Sequence, residues 1–400
     1  MNVLVVLPYP VFGGPHNQVL RLARPLAEQG WHSLALLPDE PGTGADRLLD
    51  AGVEVMQLPL HRLRGKADPR LHFALAAGFG PDVIRIRRVI RDRSIDLVQV
   101  IGLLNPQPAI AARIARVPIV WQMVDSRPPP LVLRSLASIA ALLADVFMFT
   151  GSRIMALHGG CAGVRRPSFV FFPPVDTRLF QPDSSRRMAT RRRLGIPLDA
   201  EVVGMVANLN PQKGIERFVH AAGHVQRQRP DTWFVLAGQD YSSHREYLHR
   251  IQRDIANSAI PRGQFVMAGP TDSPEELYPA FDLMVITSPQ RSEGTPTTVL
   301  EAMACGLPVV STDAGGVRDV VEDAVTGLIV RSLDPGVVAA AVLQLMGDSS
   351  LRAQMAIAAR RMATLKYDVS VCADIHVKAF SAAMAARNWP TTNGRSRETV

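Results

Sequence analysis

The chain has 400 residues, 47% of them hydrophobic, with 44 Lys and Arg against 36 Asp and Glu. At roughly 100–200 residues per domain that length calls for two domains, or three at most, and the apolar share excludes a disordered chain. The net charge of +8 and a pI near 9.9 favour acidic partners: nucleic acid, anionic lipid or phosphorylated substrates. Three scattered cysteines, Cys161, Cys305 and Cys372, exclude a disulfide framework and a zinc-ligand spacing, and they suit a reducing, cytoplasmic setting.

The opening Met1-Asn2-Val3-Leu4-Val5-Val6-Leu7-Pro8 lacks the basic leader of a signal peptide and is too short to span a membrane. It reads as the first of seven strands, at residues 3–7, 33–37, 53–58, 96–101, 118–124, 146–150 and 169–172. Each is a near-continuous apolar run, as a parallel sheet buried on both faces requires. Helical patterns at 17–29, 83–93 and 108–115 lie between them. The longest apolar region, 131–151, is broken by Arg134 and Asp145 and is expected as a buried helix and a strand, not a membrane span. Pro173-Pro174 then interrupts the pattern, and 181–193 is polar and basic. A second series follows, with strands at 202–207, 233–236, 265–268, 283–287, 308–311 and 327–330 and helices at 214–227, 247–255, 296–304 and 335–347. A last helical pattern at 369–386 precedes a tail rich in Thr, Asn, Gly and Arg.

Alternating strand and helix predicts an α/β protein with two Rossmann-like, doubly wound domains. The expected division is 1–175, a linker at 176–200, 201–368, a C-terminal helix at 369–387 packing back toward the N-terminal domain, and a mobile tail at 388–400. Two such sheets facing across a cleft bind ligands at the carboxyl ends of their strands, which by itself selects no chemistry.

Chemistry enters with Ser292-Glu293-Gly294-Thr295-Pro296-Thr297-Thr298-Val299-Leu300-Glu301-Ala302-Met303-Ala304-Cys305-Gly306-Leu307-Pro308-Val309-Val310. It follows a strand and opens a helix, with Thr295 expected as the N-cap and Pro296 at the first helical position. The amides of Thr297 and Thr298 then face outward from a positive helix terminus, an anion site suited to phosphate. Glu293 and Glu301 flank that site; phosphate would repel them, so they fit sugar hydroxyls instead.

This segment resembles the signature of retaining glycosyltransferase family 4: a Glu, seven residues, a second Glu, then Ala-Met-Ala-x-Gly-x-Pro-Val-Val. Ser311-Thr312-Asp313-Ala314-Gly315-Gly316-Val317-Arg318-Asp319 and Thr326-Gly327-Leu328-Ile329-Val330 continue the likeness downstream. Upstream, Val203-Gly204-Met205-Val206-Ala207-Asn208-Leu209-Asn210-Pro211-Gln212-Lys213-Gly214 is similar to the family's Lys-Gly helix start. The resemblance implies the GT-B fold, a nucleotide-diphosphate sugar as co-substrate and retention of anomeric configuration; no Asp-x-Asp stands beside a phosphate loop and no His/Cys cluster has ligand spacing, so no metal or other cofactor is expected. The resemblance places Lys213 on the departing diphosphate; Asn208 stands where many members carry Arg. Phe265-Val266-Met267-Ala268-Gly269 and 272–288 resemble the base-holding segments, with Tyr278 read as core packing. Gly13 and Gly14 lie in the loop that in the family faces donor phosphate and acceptor. Asp125 follows the fifth strand, where many relatives have His or Asp.

The candidate catalytic residues are therefore Asp125 and Glu293. The candidate donor-binding residues are Gly13, Gly14, Asn208, Lys213, Gly269, Glu293, Gly294, Thr297, Thr298 and Glu301. The expected activity is transfer of a sugar to a glycan, lipid-linked or small-molecule acceptor, in cell-surface polysaccharide or glycolipid synthesis. An inactive nucleotide- or glycan-binding relative is the alternative, suggested by Asn208 and the missing histidine beside Asp125. A sugar-nucleotide epimerase fits the motif order poorly, and no Gly-x-Gly-x-x-Gly follows the first strand, which excludes a nicotinamide-dependent dehydrogenase. The positive charge concentrates in Arg85, Arg87, Arg88, Arg91 and Arg93 and in His61-Arg62-Leu63-Arg64-Gly65-Lys66. Solvated surface or contact with an anionic membrane both account for it; no nucleic-acid motif accompanies it. The expected location is cytoplasmic, at most peripheral on the membrane.

Overall fold

The computed structural model describes residues 1–62, 69–124, 130–158, 166–240, 244–290 and 294–388. Asp125 and Glu293 lie outside the described residues, as do Cys161, most of the basic 61–66 loop and the tail beyond Asn388.

The chain forms two compact units, one of Met1–Pro174 with the segment from Val369, the other Val175–Asp368. The first contains β1 (Asn2–Val6), α1 (Gly14–Glu28), β2 (His32–Pro38), α2 (Gly44–Asp50), β3 (Glu54–Leu58), α3 (Pro69–Asp92), β4 (Leu97–Ile101), α4 (Gln107–Ala115), β5 (Ile119–Met123), α5 (Pro130–Leu143), β6 (Val146–Thr150), α6 (Ser152–Leu157) and β7 (Ser168–Phe171). The second contains α7 (Ser184–Arg193), β8 (Val202–Val206), a 3₁₀ turn (Pro211–Lys213), α8 (Ile215–Gln228), β9 (Trp233–Ala237), α9 (Arg245–Ala256), β10 (Phe265–Gly269), α10 (Pro274–Leu277), a 3₁₀ turn (Tyr278–Ala280) and β11 (Leu283–Ile286). It continues through α11 (Thr297–Ala304), β12 (Val309–Thr312), α12 (Val317–Val320), β13 (Gly327–Val330), α13 (Pro335–Gly347), α14 (Ser349–Met362) and a π-helical turn (Ala363–Tyr367). The last helix, α15 (Val369–Ala386), returns to the first unit.

Both sheets are parallel throughout, ordered β3-β2-β1-β4-β5-β6-β7 and β10-β9-β8-β11-β12-β13. The thirteen apolar runs all became strands because each is buried from both sides. In the first unit Leu4, Val6, Val98 and Val100 point into one core, with α3 and α4, while Val3, Val5, Val120 and Val146 join another with α1 and α15. The 131–151 region is, as expected, a helix and a strand. α15 is the one described helix long and apolar enough to cross a membrane. Here its Cys372, His376, Ala379, Phe380 and Ala383 are buried in the first unit.

A polar network fastens that helix. Gln18 of α1 and Gln122 of β5 exchange amide hydrogen bonds (3.0 and 2.8 Å), Gln99 of β4 donates to Gln122 at 2.7 Å, and Gln18 Nε2 lies 3.1 Å from His376 Nε2. His376 Nδ1–H donates to the Cys372 carbonyl at 2.8 Å, so Nε2 is the acceptor for Gln18. Every member is at least 94% buried, and burial holds the His376 imidazole down at about 4.

Residues 176–200, expected as a linker, belong to the second unit and contain α7. Asp183 caps it through the amides of Ser185 and Arg186. Arginines of this polar, basic stretch are wired inward. Arg191 is fully buried, donating to Asp282 at 2.9 Å and to the carbonyls of Ala280, Leu198 and Ala200, while Arg187 donates to the other Asp282 oxygen at 2.7 Å. α3 runs well N-terminal of its 83–93 pattern and carries inside it Pro81, a residue that disfavours a helix interior. α14 escaped notice because only Met355 and Ala359 of its fourteen residues are buried, too few for an apolar period.

Candidate functional site

In the second sheet the chain winds outward from β8 to β10, then restarts beside β8 at β11 and winds the other way. The loops leaving β8 and β11 diverge there, opening a crevice at the carboxyl ends of the strands. The loop after β8 passes exposed Asn208 and turns through the 3₁₀ segment ending at Lys213, whose start Asn210 caps by accepting from Gln212 N–H at 3.0 Å. Gly214 then adopts φ +62, and a Cβ there would collide with the Thr287 carbonyl. Only glycine meets both demands. Thr287, fully buried at the end of β11, donates its hydroxyl to the Gly214 carbonyl at 2.8 Å and lies 3.3 Å from that of Lys213. The half-buried Lys213 is thus held at the crevice by its backbone.

The loop after β11 is braced from β12. Thr312 donates to the Ser288 carbonyl at 2.6 Å, and Gly316 N–H donates to the Gly294 carbonyl at 2.9 Å. A Cβ on Gly316 would lie 2.8 Å from that carbonyl oxygen, so the approach needs glycine at this position too. α11 begins one residue later than expected: its N-cap is Pro296, not Thr295, and no side chain caps it. Pro296 is extended (ψ 115), and a proline disfavours helical backbone in the residue before it. No side chain therefore occupies the amides of Thr297 and Thr298, which stay directed at whatever anion the helix end receives.

Glu301, one turn further along α11, is 4% exposed. The Tyr278 hydroxyl donates to its Oε2 at 2.7 Å. Tyr278 is itself fully buried between Phe180 and Phe281, with ring centroids at 6.0 and 6.3 Å, so it is core packing and the brace of a carboxylate at once. Gly269 closes β10 at the same sheet end, two strands from β8, with φ +74 and no atom within 4 Å of where a Cβ would be. The fold thus gathers Asn208, Lys213, Gly294, Thr297, Thr298 and Glu301 around one switch point, with Gly269 on its flank.

In the first sheet the switch point lies between β1 and β4. Gly13 and Gly14 follow β1; Gly13 is extended (φ −163), and a Cβ at either would meet nothing within 4 Å. What glycine supplies here is open space above the backbone, not a special conformation. Sequence patterns did not single out the buried polar groups on the segments that follow these two strands. His16, 1% exposed in the first turn of α1, has Nε2 2.9 Å from the Tyr9 carbonyl. A carbonyl only accepts, so Nε2 carries the proton and Nδ1 is a lone-pair acceptor, buried and unpaired. Burial lowers its pKa and keeps the ring neutral. After β4, Asn105 Oδ1 and Gln107 Oε1 are also buried acceptors without a partner. The orphaned atoms were the only signal, and a sequence does not show them.

The basic surface of the first unit is less open than its composition suggests. Arg85 pairs with Asp82, Arg91 with Asp92, Arg93 with Glu54, and Arg62 doubly with Glu40.

Residues 187–362 match the family model described as glycosyl transferases group 1, and residues 13–174 match the glycosyl transferase 4-like domain. The chain is 31% identical over 241 residues to a GDP-mannose-dependent α-(1-6)-phosphatidylinositol monomannoside mannosyltransferase of Mycolicibacterium smegmatis, covering 58% of this chain and 59% of that protein. It is 34% identical over 200 residues to a D-inositol 3-phosphate glycosyltransferase of Salinispora arenicola, covering 48% and 44%. The chain thus spans about half the length of the curated relatives it matches. Among solved structures, Anabaena Alr3699/HepE in complex with UDP superposes with a TM-score of 0.80 at 22% identity, covering 96% of this chain and all of that one, a likeness of fold.

Proposed function

The chain belongs to the family-4-like glycosyltransferases, with the GT-B fold, and we propose that it transfers a sugar, with retention, from a nucleoside-diphosphate donor to a polyhydroxylated glycan, lipid-linked or small-molecule acceptor. The observation that carries this reading is the uncapped start of α11 beside Lys213 at the β8/β11 switch point, with the Tyr278-braced Glu301 one turn away. The Thr297 and Thr298 amides and the Lys213 ammonium neutralise the diphosphate, the former as a helix dipole and the latter as a point charge. Glu301 accepts from the ribose hydroxyls; Glu293 and Gly294 meet the sugar.

In the reaction the bond from the anomeric carbon to the diphosphate oxygen breaks as the acceptor oxygen bonds to the same face of that carbon. The acceptor's proton passes to the leaving phosphate. Asp125 orients hydroxyls near the reacting carbon. No carboxylate need form a covalent intermediate, which separates the scheme from two-carboxylate glycosidases. Preorganised amides and a fixed cation stabilise the leaving charge. On the other unit, His16 Nδ1, Asn105 Oδ1 and Gln107 Oε1 are acceptors only, which suits hydroxyl donors on a polyol. The relatives named above act on inositol phosphate and phosphatidylinositol monomannoside by their descriptions, and a polyol acceptor is the chemistry those names share. A nucleotide-sugar donor and the buried free thiols of Cys305 and Cys372 fit a cytoplasmic enzyme.

The test is release of nucleoside diphosphate from GDP-mannose and UDP-glucose with and without inositol phosphate. Release that depends on Lys213 and Glu301 supports the reading. Binding without turnover, under every donor, would make the chain an inactive binding relative.

A further inference from the structure

The second unit carries an apolar groove of about 470 Å³ between α14, the π-helical turn after it and the loop before β13. Ile357, Leu365 and Val325 line it and are 71%, 62% and 43% exposed, unusual for large aliphatic side chains clustered on one surface. Ile357, Arg361 and Leu365 recur every four residues, so they line one face of α14 and of the π-helical turn that continues it, with Lys366 following on that turn.

The charge of the lining decides the occupant. Arg361 and Lys366 are the only charged side chains in it, and both are exposed. Neither forms an ion pair among the described residues, unlike Arg62, Arg85, Arg91 and Arg93 of the first unit. No acid is in the lining; of those close to it in sequence, Asp323 accepts from the Ile329 amide at 2.8 Å, Asp368 accepts from the Thr177 hydroxyl at 2.6 Å, and Glu322 is exposed. An apolar floor with unpaired cations at its rim is the pattern of an interfacial lipid contact: aliphatic side chains enter the acyl boundary while cations meet lipid phosphates.

We propose that this groove docks the second unit on an anionic lipid surface. The docking surface lies on the second unit, whereas the basic helix α3 belongs to the first.

The experiment is flotation of the full chain with phosphatidylglycerol-containing vesicles, against vesicles of phosphatidylcholine alone. The wild type floats with the anionic vesicles and is released by salt. Arg361→Gln with Lys366→Gln weakens partitioning about thirtyfold, at roughly 1 kcal/mol for each cation near such a surface. Ile357→Glu with Leu365→Glu weakens it further, and since these side chains are exposed, melting temperature and donor binding stay at wild-type values. Arg87→Gln with Arg88→Gln on α3 leaves flotation intact. The proposal is overturned if the wild type stays behind, or if the α3 pair abolishes flotation while the groove variants float. It is also overturned if light scattering shows concentration-dependent dimers that Ile357→Glu dissolves, because the groove would then belong to a second copy.

Discussion

The two units share a topology and solve their switch points differently. In the second, the crevice is built by backbone: Thr287 grips the carbonyls of Lys213 and Gly214, Thr312 grips that of Ser288, and Gly316 closes on Gly294. In the first, the loop after β1 leaves open space at Gly13 and Gly14, and the polar groups beside it are buried acceptors still lacking donors. A diphosphate is the same in every nucleotide sugar, so its site can be rigid. The acceptor proposed for the first unit would vary from enzyme to enzyme, which side chains set on an open loop accommodate. The difference teaches where substitutions should act through geometry and where through chemistry.

The largest break in that comparison is Lys213→Ala. Losing a charge-assisted contact to the diphosphate should weaken donor affinity on the order of 100-fold, measured by calorimetric titration, with melting temperature unchanged. A stability loss equal to the binding loss would show that Lys213 is structural.

Next comes the pH dependence of the first unit. His376 sits at about 4 when folded, against 6.5 in the unfolded chain. The unfolded state therefore binds the extra proton, and stability is full above pH 6.5 and falls as pH drops toward 4, by about 3 kcal/mol. His16 adds loss of the same sign. Denaturant midpoints across that window should fall in the wild type and flatten in His376→Gln; equal slopes would remove the buried network from the account.

A smaller contrast sets Gly214→Ala against Gly13→Ala. The first forces φ +62 and a collision with Thr287, so it should cost about 1–3 kcal/mol. The second meets open space in extended backbone and should change stability by less than about 0.5 kcal/mol, while still impeding a ligand that approaches the loop. Tyr278→Phe belongs with the first: it strips Glu301 of a donor in a buried setting and should cost about 1–3 kcal/mol together with some donor affinity. The smallest expected effect is none. The neutralising charges proposed are Lys213 and a helix terminus, so turnover in chelator should match turnover without it.

These contrasts also mark what the sequence made legible. The thirteen strands were readable because continuous burial imposes an apolar run. The crevice of the second unit was readable because it is contiguous: Asn208 to Gly214 and Gly294 to Glu301 are each one loop and one helix start. The start of α11 was misplaced by a residue because Thr295 looks like a cap while Pro296 takes that position. The Tyr278–Glu301 bond joins residues 23 apart and needs the tertiary fold to appear. His16 looked like any histidine after a Gly-Gly loop, and only its buried, unpaired Nδ1 distinguishes it. The arginines of α7 were part of an expected linker because nothing local announces that Asp282, some 90 residues on, receives them.

The central claim is that a nucleoside diphosphate binds at the start of α11. Calorimetric titration of UDP and GDP into the wild type, Lys213→Ala and Glu301→Gln tests it most directly. The account predicts saturable binding of at least one of the two to the wild type, a loss on the order of 100-fold in Lys213→Ala, and a smaller loss in Glu301→Gln. Binding that survives both substitutions unchanged, or no binding of either nucleotide to folded wild type, would contradict it.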